Sequence, residues 1–106
     1  MTIERKKETG RLTLAISGRL DTSTAPELEA ALKSSLESVS QLIFDFEKLE
    51  YISSAGLRVL LTAHKTMNKQ GSMKVINVCE NVMEVFDITG FSDILTIEEG
   101  NHFENK

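Results

Sequence analysis

Residues 49–61 read LEYISSAGLRVLL, and this stretch decides the fold because its hydrophobic period changes along its length. The first half ends an apolar segment rich in strand formers, and the second half places leucines at helical spacing. Ser53 and Ser54 lie at the junction. The backbone N–H groups in a helix's first turn lack intrahelical acceptors, so a serine there can cap the helix, and a phosphate attached to it would meet the favourable end of the dipole. The junction is therefore a candidate site for a negative charge.

Upstream of the junction, the pattern predicts a hairpin and then a helix. Residues 2–7 and 11–17 are expected to form the two strands, because apolar and polar residues alternate in the second segment. Gly18 then breaks the strand, and residues 21–23 form a polar connection. The helix is expected to start at Thr24, which has capping-box spacing to Glu27, and its apolar positions continue to Val39.

Downstream, strands and helices alternate. Residues 42–46 predict a strand that residues 51–52 extend or follow, and a second helix runs from Ala55 to about Lys69. The remaining predictions are a strand at 73–78, a short helix from Val82 that ends near Gly90, a last strand at 94–97, and a polar tail at about 98–106 that frays.

This order of elements predicts an α/β fold. Strands separated by helices pair in parallel through right-handed crossovers, whereas the initial hairpin is antiparallel. We expect one domain over residues 1–106, with a mixed sheet of four to five strands covered by α-helices.

Composition narrows the class of protein. Hydrophobic residues at 41% and charged residues at 26% are ordinary for a globular chain. The net charge of −4, without clustered Lys and Arg, disfavours a nucleic-acid partner. Without an apolar run of about 20 residues or a signal-like N-terminus, direct membrane insertion is not expected, and we expect a cytoplasmic protein.

The inventory of reactive side chains does not predict an enzyme. His64 lies in the second helix and His102 in the polar tail, and neither is paired with a nucleophile by its position. The single cysteine, Cys79, is expected to be structural or incidental. The chain has no phosphate-binding glycine loop and no cluster with metal-ligand spacing, so we expect no catalytic residue, no metal and no cofactor.

The chain resembles the anti-sigma factor antagonists, whose domain is called STAS. Four motifs carry the resemblance: GRLD at 18–21, DFEKL at 45–49, ISSAGL at 52–57 and FDITGF at 86–91. The resemblance implies that Ser54 is the phosphorylated residue, with Ser53 as the second choice. The chain departs from the usual pattern, because Ser53 replaces an acidic residue and Ala55 replaces a second hydroxyl residue. The loss of the acidic neighbour either alters kinase recognition or eases phosphorylation, and the sequence leaves both open.

In such a family, the unphosphorylated protein binds an anti-sigma factor and thereby frees a sigma factor. The anti-sigma factor is itself an ATP-dependent serine kinase that phosphorylates the antagonist, and a metal-dependent serine phosphatase reverses the reaction. The resemblance and the expected topology together predict a partner-binding face. Its residues are Asp21, Thr22, Ser23, Ser53, Ser54, Gly56 and Arg58. Because Asp21 and Arg58 are expected at the surface, replacing either with alanine should weaken binding and barely change the melting temperature.

Two other classes remain open. A STAS domain can serve, without phosphorylation, as a subunit of a membrane transport or lipid-trafficking assembly, although the serine at the acceptor position is a feature against this. A small enzyme or ligand-binding module is the other alternative, and the lack of a polar cluster disfavours it.

Overall fold

The computed structural model describes residues 1–98, which form a six-stranded sheet and three α-helices. The strands are β1 Thr2–Glu8, β2 Arg11–Leu20, β3 Gln41–Asp45, β4 Leu49–Ile52, β5 Ser72–Ile76 and β6 Ile97–Glu98. The helices are α1 Ala25–Ser35, α2 Ser54–Gln70 and α3 Glu80–Thr89, and a short 3-10 turn covers Phe91–Asp93.

The sheet is mixed, as the sequence predicts. Its order is β1-β2-β3-β5-β6, and only the β1–β2 hairpin is antiparallel. The strand β2 is long enough to pair with two strands in succession, since its first half pairs with β3 and its last residues pair with β4. This second pairing positions the loop that follows β4.

The core lies on one face of the sheet. Leu12, Leu14 and Ile16 of β2 are buried, while the intervening Thr13 and Ala15 are half-buried, which is the period-two pattern of a strand with one covered face. Buried residues of α1, α2 and α3 belong to the same hydrophobic cluster. The three helices therefore share one core with this face, and along β2 the opposite face is more accessible.

The α/β class, the hairpin and the alternation of strands and helices are confirmed. The sheet has one strand more than the predicted maximum, because residues 49–52 form a strand of their own after a tight turn, in which Leu49 N donates to Phe46 O at 3.0 Å. The strand β2 also runs through Gly18, where φ is +92° and the register shifts, and ends at Leu20.

The first helix ends earlier than predicted. Leu36 and Val39 are buried, as their spacing implies, but they lie in the connection after α1. The Gln70 side chain donates hydrogen bonds to the carbonyls of Leu36 at 2.8 Å and Val39 at 2.7 Å, so a partner from α2 satisfies backbone groups that a longer helix would have paired.

The end of the chain also differs from the prediction. The last described strand is Ile97–Glu98, not residues 94–97, because Ile94 and Leu95 continue from the 3-10 turn with N–H groups that donate to Phe91 O. The predicted frayed tail, apart from Glu98, lies outside the described residues. Within residues 1–98, no helix combines the length and the apolar character needed to cross a bilayer.

Candidate functional site

Two loops meet at one edge of the sheet because β2 and β4 run parallel. Leu20 and Ile52 are register partners at the ends of these strands, and Ser53 N donates to Leu20 O at 2.9 Å. The loop that begins at Asp21 therefore lies beside the junction of Ser53 and Ser54. This is the arrangement that the order of the elements predicts.

The Asp21 carboxylate organises the first of these loops. Its Oδ1 accepts hydrogen bonds from Ser23 N at 3.1 Å, Ser23 Oγ at 2.8 Å and Thr24 N at 3.2 Å. Its Oδ2 lies 3.7 Å from Arg19 Nε. These contacts use the carboxylate inside its own loop, so Asp21 holds the loop in shape in addition to lying near the surface.

The same hydrogen bonds lower the pKa of Asp21. The hydroxyl of Ser23 makes the largest contribution, and desolvation opposes it with the next largest effect, while the backbone N–H groups of Thr24 and Ser23 and the Thr24 hydroxyl also lower the pKa. Each of these donors stabilises the ionised form. Asp21 therefore stays charged at neutral pH and keeps its hydrogen bonds.

The predicted capping box at the start of α1 does not form. Thr24 occupies the N-cap position, but its side chain makes no cap hydrogen bond to the helix. Instead, Thr24 Oγ1 accepts from Asp21 N at 2.8 Å and donates to Arg19 O at 2.9 Å. The spacing of Thr24 and Glu27 is compatible with a capping box, but the Thr24 hydroxyl forms hydrogen bonds with backbone groups that precede the helix instead.

In the second loop, at the junction of Ser53 and Ser54, fewer of the polar groups have hydrogen-bond partners among the described residues. Ser53 has the N-cap position of α2 and an extended backbone, yet its side chain makes no cap hydrogen bond, and its Oγ is buried without a partner among the described residues. Ser54 is the first residue of the helix and is exposed. The first turn of α2 carries no acidic residue, so no side-chain charge compensates its N–H groups.

Gly56 allows this helix to start close against the strand ends. A Cβ at Gly56 would lie 2.7 Å from Leu20 Cγ and 2.8 Å from Ile52 Cγ1. Gly56 is also buried. Gly56 therefore has a packing role, in which it brings the start of α2 against the end of β2, and its contact with a partner stays a prediction.

Other predicted residues lie around this edge. Thr22, Ser23 and Arg58 are exposed. Arg58 stands one helical turn after Ser54, so the two side chains share one face of α2. No ion pair is found for Arg58 within residues 1–98.

An exposed pair of side chains beside the loops was not predicted from the sequence. Arg19 and Tyr51 are register partners across β2 and β4, and the Arg19 guanidinium carbon lies 4.2 Å from the centre of the Tyr51 ring. Arg19 stands two residues before Asp21, and Tyr51 stands two residues before Ser53. That equal spacing from the two strand ends is the signal that could have identified the pair.

The remaining reactive side chains lie away from this edge. His64 is half-buried in α2, with its Nε2 3.4 Å from Asn68 Nδ2. Cys79 is half-buried, and its Sγ donates to Leu49 O at 3.3 Å. His102 lies outside the described residues, and no group of three His, Cys, Asp or Glu residues that could hold a metal ion occurs in the part of the chain that the structure describes.

Comparison with known proteins agrees with the fold. The profile of the STAS domain matches residues 2–103. The anti-sigma-B factor antagonist of Bacillus subtilis is 32% identical over 98 residues, which cover 92% of this chain and 90% of the relative. BtrV of Bordetella bronchiseptica is 33% identical over 99 residues, 92% of this chain and 85% of the relative. The chain belongs to the STAS domain family, and its relatives support the general role of an anti-sigma factor antagonist.

Solved structures show the same fold. The anti-sigma factor antagonist SpoIIAA in its unphosphorylated form superposes with a TM-score of 0.81 at 17% identity, covering 98% of this chain and 94% of SpoIIAA. The phosphorylated form gives 0.73 at 16% identity, with coverages of 98% and 97%. A sulfate transporter family protein from Wolinella succinogenes gives 0.74 at 18% identity, with coverages of 87% and 80%. The fold alone therefore does not separate an antagonist from a transporter domain.

Proposed function

We propose that this protein is an anti-sigma factor antagonist that is switched by phosphorylation of Ser54. The unphosphorylated protein binds an anti-sigma factor, and the sigma factor held by that anti-sigma factor is released. The anti-sigma factor acts as the serine kinase and supplies the ATP site, and a serine phosphatase removes the phosphate. The antagonist itself contributes a docking face and an acceptor hydroxyl, and carries out its role in the cytoplasm.

The observation that carries this proposal is the contrast between the two serines. Ser54 is exposed at the first position of α2, whereas the Ser53 hydroxyl oxygen is buried. A kinase must reach the oxygen that it phosphorylates, so access favours Ser54. The uncapped N–H groups of the helix and the absence of an acidic residue in the first turn also favour an added phosphate there.

The phosphate would act as a switch through local charge. It adds about −1.5 to −2 charges at neutral pH to a surface that is expected to touch the partner. Like-charge repulsion or desolvation of that charge would weaken docking without any change of fold. The Asp21 loop lies beside Ser54 and is held by its own hydrogen bonds, so it would keep its shape when the charge is added.

The test is phosphorylation by the cognate anti-sigma factor with ATP. Wild-type protein should accept one phosphate, and mass spectrometry should place it on Ser54. Ser53→Ala is the matched control and should still accept the phosphate, whereas Ser54→Ala should accept none. A phosphate on Ser53 would show that the buried hydroxyl is reached after all, and the assignment would then be wrong.

The alternative function, a subunit of a transport or lipid-trafficking assembly, rests on the shared fold. The same experiment separates the two. An antagonist forms a complex with its anti-sigma factor and loses that complex on phosphorylation, whereas a transport subunit does neither.

A further inference from the structure

Next to the two loops, Arg19 and Tyr51 form an exposed pair that is already arranged for contact. The Arg19 side chain is 61% exposed, and Tyr51 is 39% exposed. The guanidinium is held between the Tyr51 ring at 4.2 Å and Asp21 Oδ2 at 3.7 Å. Contacts of this kind, formed before a partner binds, reduce the side-chain freedom that binding must remove.

We propose that Arg19 and Tyr51 form an anchor for the anti-sigma factor, which places an acidic side chain on Arg19 and an apolar group on Tyr51. This inference rests on the proposed function and extends the predicted docking face from the loops onto the adjoining ends of β2 and β4.

Charge complementarity supports an acidic contact. A guanidinium has five donors in a planar fork that matches a carboxylate, and the Asp21 contact through Nε occupies only one edge of it. Arginine and tyrosine are also enriched among the residues that dominate binding energy at protein interfaces. Tyr51 is one of three large exposed hydrophobic residues among residues 1–98, and the other two, Ile88 and Ile94, lie near the C-terminal part of that range.

The position of Arg19 and Tyr51 suggests how a phosphate on Ser54 would weaken binding, through repulsion of an acidic group of the anti-sigma factor. Arg19 contacts Asp21, and the loop that starts at Asp21 lies beside the Ser53 and Ser54 junction. A phosphate on Ser54 would stand at the same edge as the acidic group bound by Arg19. The negative charge on the partner would then be repelled.

The experiment measures affinity for the cognate anti-sigma factor by calorimetry. Arg19→Glu should weaken binding about tenfold or more, because it replaces attraction by repulsion at a docked position. Arg5→Glu is the matched control, since it changes the net charge equally at an exposed position on β1, and it should bind like the wild type. Arg19→Gln should give an intermediate loss, and circular dichroism should show that all three variants fold.

The aromatic half of the anchor has its own control. Tyr51→Ala should weaken binding about fivefold or more, whereas Tyr51→Phe, which keeps the ring, should bind like the wild type. Ile88→Ala removes an apolar side chain that is 78% exposed in α3 and should have no effect.

The same measurements distinguish a failure of the proposed function from a failure of the anchor formed by Arg19 and Tyr51. If the wild type does not bind the anti-sigma factor, the proposed function is wrong, and the anchor is wrong with it. If the wild type binds and Arg19→Glu binds as tightly as Arg5→Glu, the docking face does not include Arg19 and only the anchor is overturned.

Discussion

Two loops at the same edge of the sheet differ in how completely their polar groups are paired. In the loop after β2, the Asp21 carboxylate and the Thr24 hydroxyl have hydrogen-bond partners within the loop and at the end of β2. In the loop after β4, the Ser53 hydroxyl has no partner among residues 1–98, and no side chain of that range caps the helix that follows. The first loop is therefore held in shape by its own hydrogen bonds. In the second loop, the backbone N–H groups at the start of α2 remain available to an added negative charge.

Both loops depend on the packing beneath them, and removing that packing should have the largest effect. Leu60 is fully buried in α2, so Leu60→Ala should lower the free energy of unfolding by about 2 to 5 kcal/mol. Chemical denaturation measures the change. Thr62→Ala, at an exposed position of the same helix, is the control and should change stability little. An equal loss for both variants would show that Leu60 does not contribute through the core.

A smaller loss of stability is expected at Gly56, where the start of α2 packs against the ends of β2 and β4. Gly56→Ala places a methyl group 2.7 Å from Leu20 Cγ, so α2 or the strand ends must shift, at a cost of about 1 to 3 kcal/mol. Because the shift moves the mouth of α2, binding to the anti-sigma factor should weaken as well. Unchanged stability and binding would mean that the close approach of α2 has no consequence.

The difference between the two loops can be tested with one alanine substitution in each loop. Asp21→Ala removes the hydrogen bonds that the carboxylate accepts from Ser23 and Thr24 and should clearly lower the melting temperature, contrary to the expectation from sequence alone. Ser53→Ala removes a buried hydroxyl that has no partner, and burying such a group costs about 1 to 3 kcal/mol. Its melting temperature should therefore stay the same or rise. If Ser53→Ala is instead less stable by about 1 kcal/mol, Ser53 caps α2 in solution and the two loops are alike.

The smallest effect is expected in the dependence of stability on pH. The pKa of Asp21 is lowered from its ordinary value of 3.8, so its ionised form contributes stability above that value. This contribution is lost as the pH falls through the pKa of the folded state. The wild type should be more stable than Asp21→Asn at neutral pH, and the difference should shrink below about pH 4. A difference that does not change with pH would contradict the assigned hydrogen bonds.

How far the sequence predicts the molecule depends on whether the information is local. The alternation in β2 and the helical spacing after Ser54 are local patterns, and both elements formed at these positions, although β2 continues past residue 17 to Leu20. The strand β4 cannot be predicted as a separate strand from the sequence, because four residues after a tight turn are too few to show a hydrophobic alternation. The earlier end of α1 depends on Gln70, which is distant in sequence.

The site follows the same rule. The meeting of the two loops could be predicted, because the carboxyl ends of neighbouring parallel strands share an edge. The pairing of Thr24 with Arg19 and Asp21, and the burial of the Ser53 oxygen, depend on side-chain geometry that no spacing shows. The equal spacing of Arg19 and Tyr51 from the two strand ends points to the pair once β2 and β4 are known to be neighbours, and the structure supplies that pairing.

The most direct test of the switch is the affinity of the anti-sigma factor for protein carrying phosphoserine at position 54. Calorimetry should show binding about tenfold or more weaker than for the unphosphorylated protein, and Ser54→Asp, with less charge, should lose only part of the affinity. Circular dichroism and thermal melting should show that the fold is retained. Equal affinity of the phosphorylated and unphosphorylated proteins would contradict the claim that a charge on the second loop controls docking.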